Sequence, residues 1–217
     1  MPGIAEPMRI VCLGDSITLG TPYVEADETY ESFLQKQLSD NGLGARVISS
    51  GIGGETTSGG LTRFEVDVIS HFPACVTIMY GANDCLVELG ETSPRVALED
   101  FKKNLLRMIE WAVSEKIEPI LMTAIPFGNK CEWGAWPYYR DRGTNCLLPH
   151  YVDCVREIAA KEDLYLIDNH RTWVNSSIDV DEFTVDGVHP KVDGHKLIAN
   201  TMLPVIKAFA EERNWTK

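Results

Sequence analysis

At 217 residues the chain suits one domain, at about 100–200 residues each, and can bury a core without covalent staples. Its 44% hydrophobic and 24% charged residues exclude a disordered or fibrous chain. A net charge of −12 repels phosphate backbones and anionic headgroups, so nucleic acid and membrane-surface partners are not expected; its simplest consequence is solubility.

Taken in chain order, Met1–Pro7 holds Glu6 and no basic residue, so it lacks the layout of a secretory signal. The protein is therefore read as cytoplasmic, or as secreted with a signal removed ahead of this numbering. Arg9–Leu13 reads as a strand and runs into Gly14-Asp15-Ser16. Tyr30, Phe33, Leu34, Gln37 and Leu38 mark one helix face. The next strand, Ala45–Ser49, leads to Gly51-Ile52-Gly53-Gly54-Glu55-Thr56, and Cys75–Tyr80 leads to Gly81-Ala82-Asn83-Asp84. Leu98, Phe101, Leu105, Met108, Ile109 and Ala112 predict a longer helix. Strand Pro119–Ala124 opens into an irregular insertion at about 126–148, rich in Trp133, Trp136, Tyr138 and Tyr139. Tyr151, Val155, Ile158 and Ala159 form a third helical face, with Pro149 shortly before its start. Leu164–Asp168 is the fifth strand, and Asp186-Gly187-Val188-His189-Pro190 follows after a loop. The final helical stretch, about Val192 to Arg213, contains Pro204, which should bend or interrupt it.

Strands alternating with helices predict parallel strands joined by crossovers, hence a three-layer α/β/α sandwich with about five parallel strands in a single domain spanning 1–217. Ligands of such sheets bind at the carboxyl ends of the strands, where the polar and glycine-rich segments fall. No stretch approaches the ~20 apolar residues of a membrane helix. Six cysteines in this length are no disulfide framework, and only Cys131 and Cys146, both in the insertion, are placed to pair. No cysteine cluster has zinc-ligand spacing.

Ser16, leaving a strand through glycine, is a candidate nucleophile; alone it reads equally as a turn or helix-cap serine. His189 is a candidate base, because Asp186 three residues earlier can reach one imidazole nitrogen and leave the other as proton acceptor. A local Asp–His bond capping the following helix is the plainer alternative. The Ser16 N–H, the Gly54 N–H and the Asn83 side-chain amide supply donors for a developing oxyanion. Gly14-Asp15-Ser16-Ile17-Thr18, Gly51–Thr56, Gly81–Asp84 and Asp186–Pro190, in this order, resemble the four sequence blocks of the SGNH hydrolases, also called GDSL-type lipases and esterases. The resemblance implies a flavodoxin-like sandwich and no cofactor. It implies Ser16, Asp186 and His189 as the triad and Ser16, Gly54 and Asn83 as the oxyanion hole. Which of Gly51, Gly53 and Gly54 faces the oxyanion stays open; Gly54 is favoured because it precedes the Glu-Thr pair.

Asp15 and Asp84 beside Asp186 and His189 raise the rival of a metal phosphoesterase, but too few histidines lie near the strand ends, so no metal is expected. Asp15 is read as bracing the Ser16 turn or touching substrate. His195 is read as structural. The aromatics Trp133, Trp136 and Tyr138, interleaved with charged residues, suit a sugar or other polar alcohol portion, or simply pack the loop down. The expected function is hydrolysis of short-chain, chiefly acetyl, esters, on a small molecule or a carbohydrate. Acyl-CoA thioesterase or lysophospholipase activity is the alternative, and a catalytically silent carbohydrate-binding protein is the alternative of another class.

Overall fold

The computed structural model describes residues 7–215, so the stretch read above for a secretory signal lies, except for Pro7, outside the described residues. Five strands form one parallel sheet: β1 (Met8–Gly14), β2 (Ala45–Gly51), β3 (Cys75–Met79), β4 (Glu118–Met122) and β5 (Leu166–Ile167), in the order β2-β1-β3-β4-β5. The helices are α1 (Ser16–Leu19), α2 (Tyr30–Asp40), α3 (Thr57–Asp67), α4 (Leu98–Ser114), α5 (Leu148–Lys161), α6 (Asn169–Asn175), α7 (Val180–Phe183) and α8 (Val192–Glu212).

The apolar strands bury both faces, and their side chains alternate between two cores. Val11, Leu13, Val76, Ile78 and Leu121 pack with Phe64 of α3, Leu105 of α4 and Val155 of α5. Ile10, Cys12, Ile120 and Met122 pack on the opposite face with Leu34 of α2 and Ile198 and Met202 of α8. Each fully buried aliphatic side chain contributes about 1.5–3 kcal/mol, so these two layers hold the sheet between its helices. The chain winds from β1 outward to β2, then crosses back to β3 on the other side of β1. The strand order therefore reverses between β1 and β3, and a crevice opens at their carboxyl ends.

Four differences from the sequence reading have physical causes. Helix α3 was not foreseen, because Thr57-Ser58-Gly59-Gly60 has poor helix propensity. Its first turn is held from outside by Asp84, whose Oδ1 accepts the Thr57 N–H at 2.9 Å and the Thr57 hydroxyl at 2.5 Å. Pro204 does not interrupt α8, which runs unbroken to Glu212. Pro204 faces solvent, where water can take the Asn200 carbonyl that the missing N–H leaves free. The fifth strand is only two residues long, since Asp168 leaves the ladder to cap α6 by accepting the Arg171 N–H. Finally, Cys131 and Cys146 are not paired; both thiols are free, and Cys131 is buried in the first core.

Candidate active site

Asp15 stands between β1 and α1 as the N-cap of the helix. Its Oδ1 accepts the Ile17 N–H at 2.9 Å, which caps the short helix and sets Ser16 on the first turn, half-buried at the strand end. Ser16 Oγ lies 2.9 Å from His189 Nε2, across 173 residues of sequence. His189 Nδ1 lies 2.7 Å from Asp186 Oδ2. With Nδ1–H donating to the carboxylate, Nε2 is the acceptor for the Ser16 hydroxyl proton.

The Asp186–His189 turn is tight because Asp186 Oδ1 also accepts the Val188 N–H at 3.0 Å and the His189 N–H at 2.9 Å. Burial alone would raise the Asp186 carboxyl. The His189 N–H, the imidazole and the Val188 N–H outweigh it and hold the carboxyl below the usual range. Gly187 has φ +83°, and a Cβ there would run into the backbone of Cys131, so only glycine closes this turn against the insertion. Gly128 N–H donates to Gly187 O at 2.7 Å, and the N–H groups of Asn129 and Lys130 donate to the Asp181 carboxylate. The insertion is thereby fastened to the histidine loop.

A cavity of about 370 Å³ opens over Ser16 and His189, lined also by Asp15, Gly53, Gly54, Asn83 and Trp133. No hydrogen bond among the described residues engages the Ser16 or Gly54 N–H, so both remain available as donors. Of the three glycines left open by the sequence, Gly51 lies outside this cavity, and Gly54 has φ +70° with open space where a Cβ would stand. Asn83 Nδ2 donates to Asp15 Oδ2 at 3.1 Å. Each Asp15 oxygen thus accepts one hydrogen bond within the protein, which makes Asp15 a support for Ser16 and Asn83 at the edge of the cavity. Burial pushes the Asp15 carboxyl up to about 7, opposed by the Ile17 N–H and reinforced by the charge of Asp84.

The structure brings Ser16, Gly54, Asn83, Asp186 and His189 together, and it sets Trp133 on the cavity wall. Trp136 and Tyr138 are not on that wall. They pack around Tyr139 with Leu86 and Val87, and the Tyr139 hydroxyl accepts the Val87 N–H at 2.8 Å. Two residues near the site escaped the sequence reading. Tyr23 stacks on His189 with ring centroids 3.8 Å apart and planes 8° from parallel. Arg95 Nη1 donates to Gly54 O at 3.0 Å. Neither belongs to a sequence block, and no periodicity marks a single loop residue. Among the described residues, no three His, Cys, Asp or Glu side chains converge as a metal-binding group, and no helix is long and apolar enough to cross a membrane.

Fold and site together define a class: a hydrolase of the esterase and acylhydrolase kind, built on a doubly wound parallel sheet. The chain belongs to the GDSL-like Lipase/Acylhydrolase family, whose model matches residues 12–197. It is 30% identical over 180 residues to the lipoprotein YqeF of Bacillus subtilis, covering 77% of this chain and 72% of that one. It is 28% identical over 223 residues to an acetylxylan esterase of Geobacillus stearothermophilus, covering 92% and 94%. The crystal structure of the lipase/acylhydrolase from Enterococcus faecalis superposes with a TM-score of 0.76 at 27% identity, over 93% of this chain and 96% of that one.

Buried ionisable groups around the site make stability depend on pH. Burial raises Glu31, in the first turn of α2, to about 8, and lowers His195, whose Nδ1 accepts the Tyr30 N–H, to about 4. A carboxyl raised on folding contributes most below its unfolded pKa, and that contribution is lost as pH rises through the folded value. The lowered histidine works in the opposite sense: its contribution is complete above about pH 6.5 and is lost toward pH 4. Above about pH 6.5 the histidine no longer offsets Asp15 and Glu31, so stability should fall between about pH 6.5 and about pH 8.5, by on the order of 1–3 kcal/mol. Thermal unfolding across this range checks it: Glu31→Gln should flatten the fall, and a midpoint that rises with pH would contradict it.

Proposed function

We propose that the protein is a serine esterase that hydrolyses short-chain, chiefly acetyl, esters of hydroxyl-rich alcohols, carbohydrates included, through an acyl-enzyme on Ser16. The observation that carries this reading is the Ser16 Oγ to His189 Nε2 contact of 2.9 Å at the floor of the cavity, with Asp186 behind the imidazole. His189 Nε2 takes the hydroxyl proton as Oγ attacks the ester carbonyl carbon. The resulting oxyanion meets the N–H groups of Ser16 and Gly54 and the second N–H of the Asn83 amide. His189 then gives the proton to the departing alcohol oxygen, the ester C–O bond breaks, and the acyl group stays on Oγ. Water, giving its proton to His189, then attacks the acyl carbon; the C–Oγ bond breaks, His189 returns the proton to Ser16 Oγ, and the carboxylic acid leaves.

Support for a short acyl group comes from the cavity's size, near the lower end of about 300–1,000 Å³ for small-molecule sites. Trp133 on its wall offers a flat face for a sugar ring, and the acetylxylan esterase relative points the same way. Ile17, Leu19, Pro22 and Val188 make the remaining wall apolar, which favours a second reading of thioesters or lysophospholipids with longer acyl chains.

A rate series on p-nitrophenyl acetate, butyrate, octanoate and palmitate, with fluorophosphonate labelling of Ser16, tests both. Rates that fall steeply beyond butyrate, with stoichiometric labelling and no effect of EDTA, are expected. An optimum at octanoate or beyond would move the assignment to the longer acyl substrates. Absence of labelling would leave a carbohydrate-binding protein on a hydrolase scaffold.

A further inference from the structure

Arg95 lies in the segment between β3 and α4, where its N–H donates to Leu86 O at 2.9 Å. Its side chain is 33% exposed and its Nε stands 3.5 Å from Glu88 Oε1, as in an ordinary rim ion pair. Its other end does something different. Nη1 donates both to Gly54 O, at 3.0 Å, and to Asn83 Oδ1, at 3.4 Å. One guanidinium nitrogen therefore touches both residues that, with the Ser16 N–H, would hold the oxyanion.

We propose that Arg95 is a positioning residue for the oxyanion site, holding the Asn83 amide in the orientation that turns Nδ2 toward the substrate carbonyl while fixing the Gly54 backbone beside it. This rests on the functional reading above. An asparagine amide presents an oxygen on one side and an NH2 on the other, and its catalytic use demands the NH2 inward. Two groups flank it. Asp15 Oδ2 accepts from Nδ2, but burial brings this carboxyl close to neutral titration, and in its acid form an O–H can donate to Oδ1 of a flipped amide. Asp15 alone thus leaves both orientations satisfied. Arginine has donors only, in every state near neutral pH, so the atom facing Arg95 must be the amide oxygen. A flipped Asn83 would set NH2 against the guanidinium and a lone pair against the oxyanion.

The Gly54 contact acts in parallel. Gly54 has φ +70° and no side chain to hold it, so a donor on its carbonyl restrains the backbone that carries the inward N–H. Preorganisation of this kind acts on the transition state, where charge sits on the oxygen, far more than on the neutral ester.

The test compares wild type, Arg95→Met, Arg95→Lys and Glu88→Gln on p-nitrophenyl acetate, with thermal unfolding of each and Ser16→Ala as reference. Arg95→Met should lower kcat about 10–100-fold with KM within about twofold and nearly unchanged unfolding. Arg95→Lys, which keeps a donor and a charge without the planar fork, should recover part of the loss. Glu88→Gln, which removes only the rim pair, should behave as wild type. Guanidinium ion, well below unfolding concentrations, should restore part of the rate of an Arg95→Ala variant and not that of Ser16→Ala. Ser16-dependent hydrolysis undiminished in Arg95→Met overturns the proposal while leaving the esterase reading intact. A loss confined to KM, or an equal loss in Glu88→Gln, overturns it as well. Wild-type hydrolysis that survives Ser16→Ala instead removes the functional reading on which it stands.

Discussion

Ser16→Ala should abolish ester hydrolysis, lowering kcat by about 10⁴–10⁶-fold, with thermal unfolding essentially unchanged. The side chain is small and half-buried, and among the described residues its hydrogen bond to His189 is the one given up, so little stability rests on it. Asp186→Asn is the more discriminating companion. Asp186 Oδ1 holds the turn through the Val188 and His189 N–H groups, and an asparagine oxygen can keep both bonds. Its NH2 would then face His189 Nδ1 where a carboxylate oxygen now stands at 2.7 Å. Nδ1 would have to accept, the proton would move to Nε2, and the imidazole could no longer take the Ser16 proton. A fall of about 10⁴-fold in kcat with an intact fold is therefore expected. Hydrolysis that persists in Ser16→Ala at more than about 1% of wild type would mean that the reaction does not pass through this serine, and the same persistence in Asp186→Asn would mean that His189 does not depend on Asp186 for its tautomer.

Ser16 was legible in the sequence because it sits just after a strand of a buried parallel sheet, whereas Asp186 and His189, which follow α7, were legible only through their own three-residue spacing. The strand order then places the ends of β1 and β3 side by side, which is why Ser16 and Asn83 converge. What was not legible depends on contacts between distant residues. Helix α3 forms on an unpromising stretch because Asp84, 27 residues away, holds its first turn. The bracing role of Asp15 could be read from its place before Ser16, but nothing in the sequence says that Asn83 bonds its second oxygen. Trp136 and Tyr138 had the composition of a sugar-binding loop, yet a backbone bond to Tyr139 turns that cluster onto Leu86 and Val87. His195 reads correctly as structural, on the final helix. Its full burial and its bond from the Tyr30 N–H make it a costly residue to remove, hence a poor silent control for His189.

Loss of Arg63 should cost several kcal/mol of stability. It lies on α3, the helix that propensity hides, and its side chain is 13% exposed. Nε donates to both Glu55 oxygens, at 2.9 and 3.0 Å, and Nη1 to Asp67 Oδ2 at 2.7 Å. Nη2 donates to Ser50 O at 2.9 Å and to Gly14 O at 3.2 Å, the carbonyls at the ends of β2 and β1. Tyr80, which follows β3, donates its hydroxyl to Glu55 Oε2 at 2.6 Å. One guanidinium therefore ties the three strand ends that carry Ser16, Gly54 and Asn83. Arg63→Met would leave Glu55, only 10% exposed at its side chain, with the Tyr80 hydroxyl but without its cation. An orphaned buried charge of this kind costs about 3–5 kcal/mol, or about 10 °C of melting temperature for a chain of this size. Because the strand ends would lose their common anchor, kcat of the remaining folded protein should fall as well. The double variant Arg63→Met/Glu55→Leu removes the orphan charge, so it should recover much of the stability and little of the activity. If the single variant instead loses under about 1 kcal/mol, water already solvates Glu55 and the strand ends hold their spacing through the sheet alone.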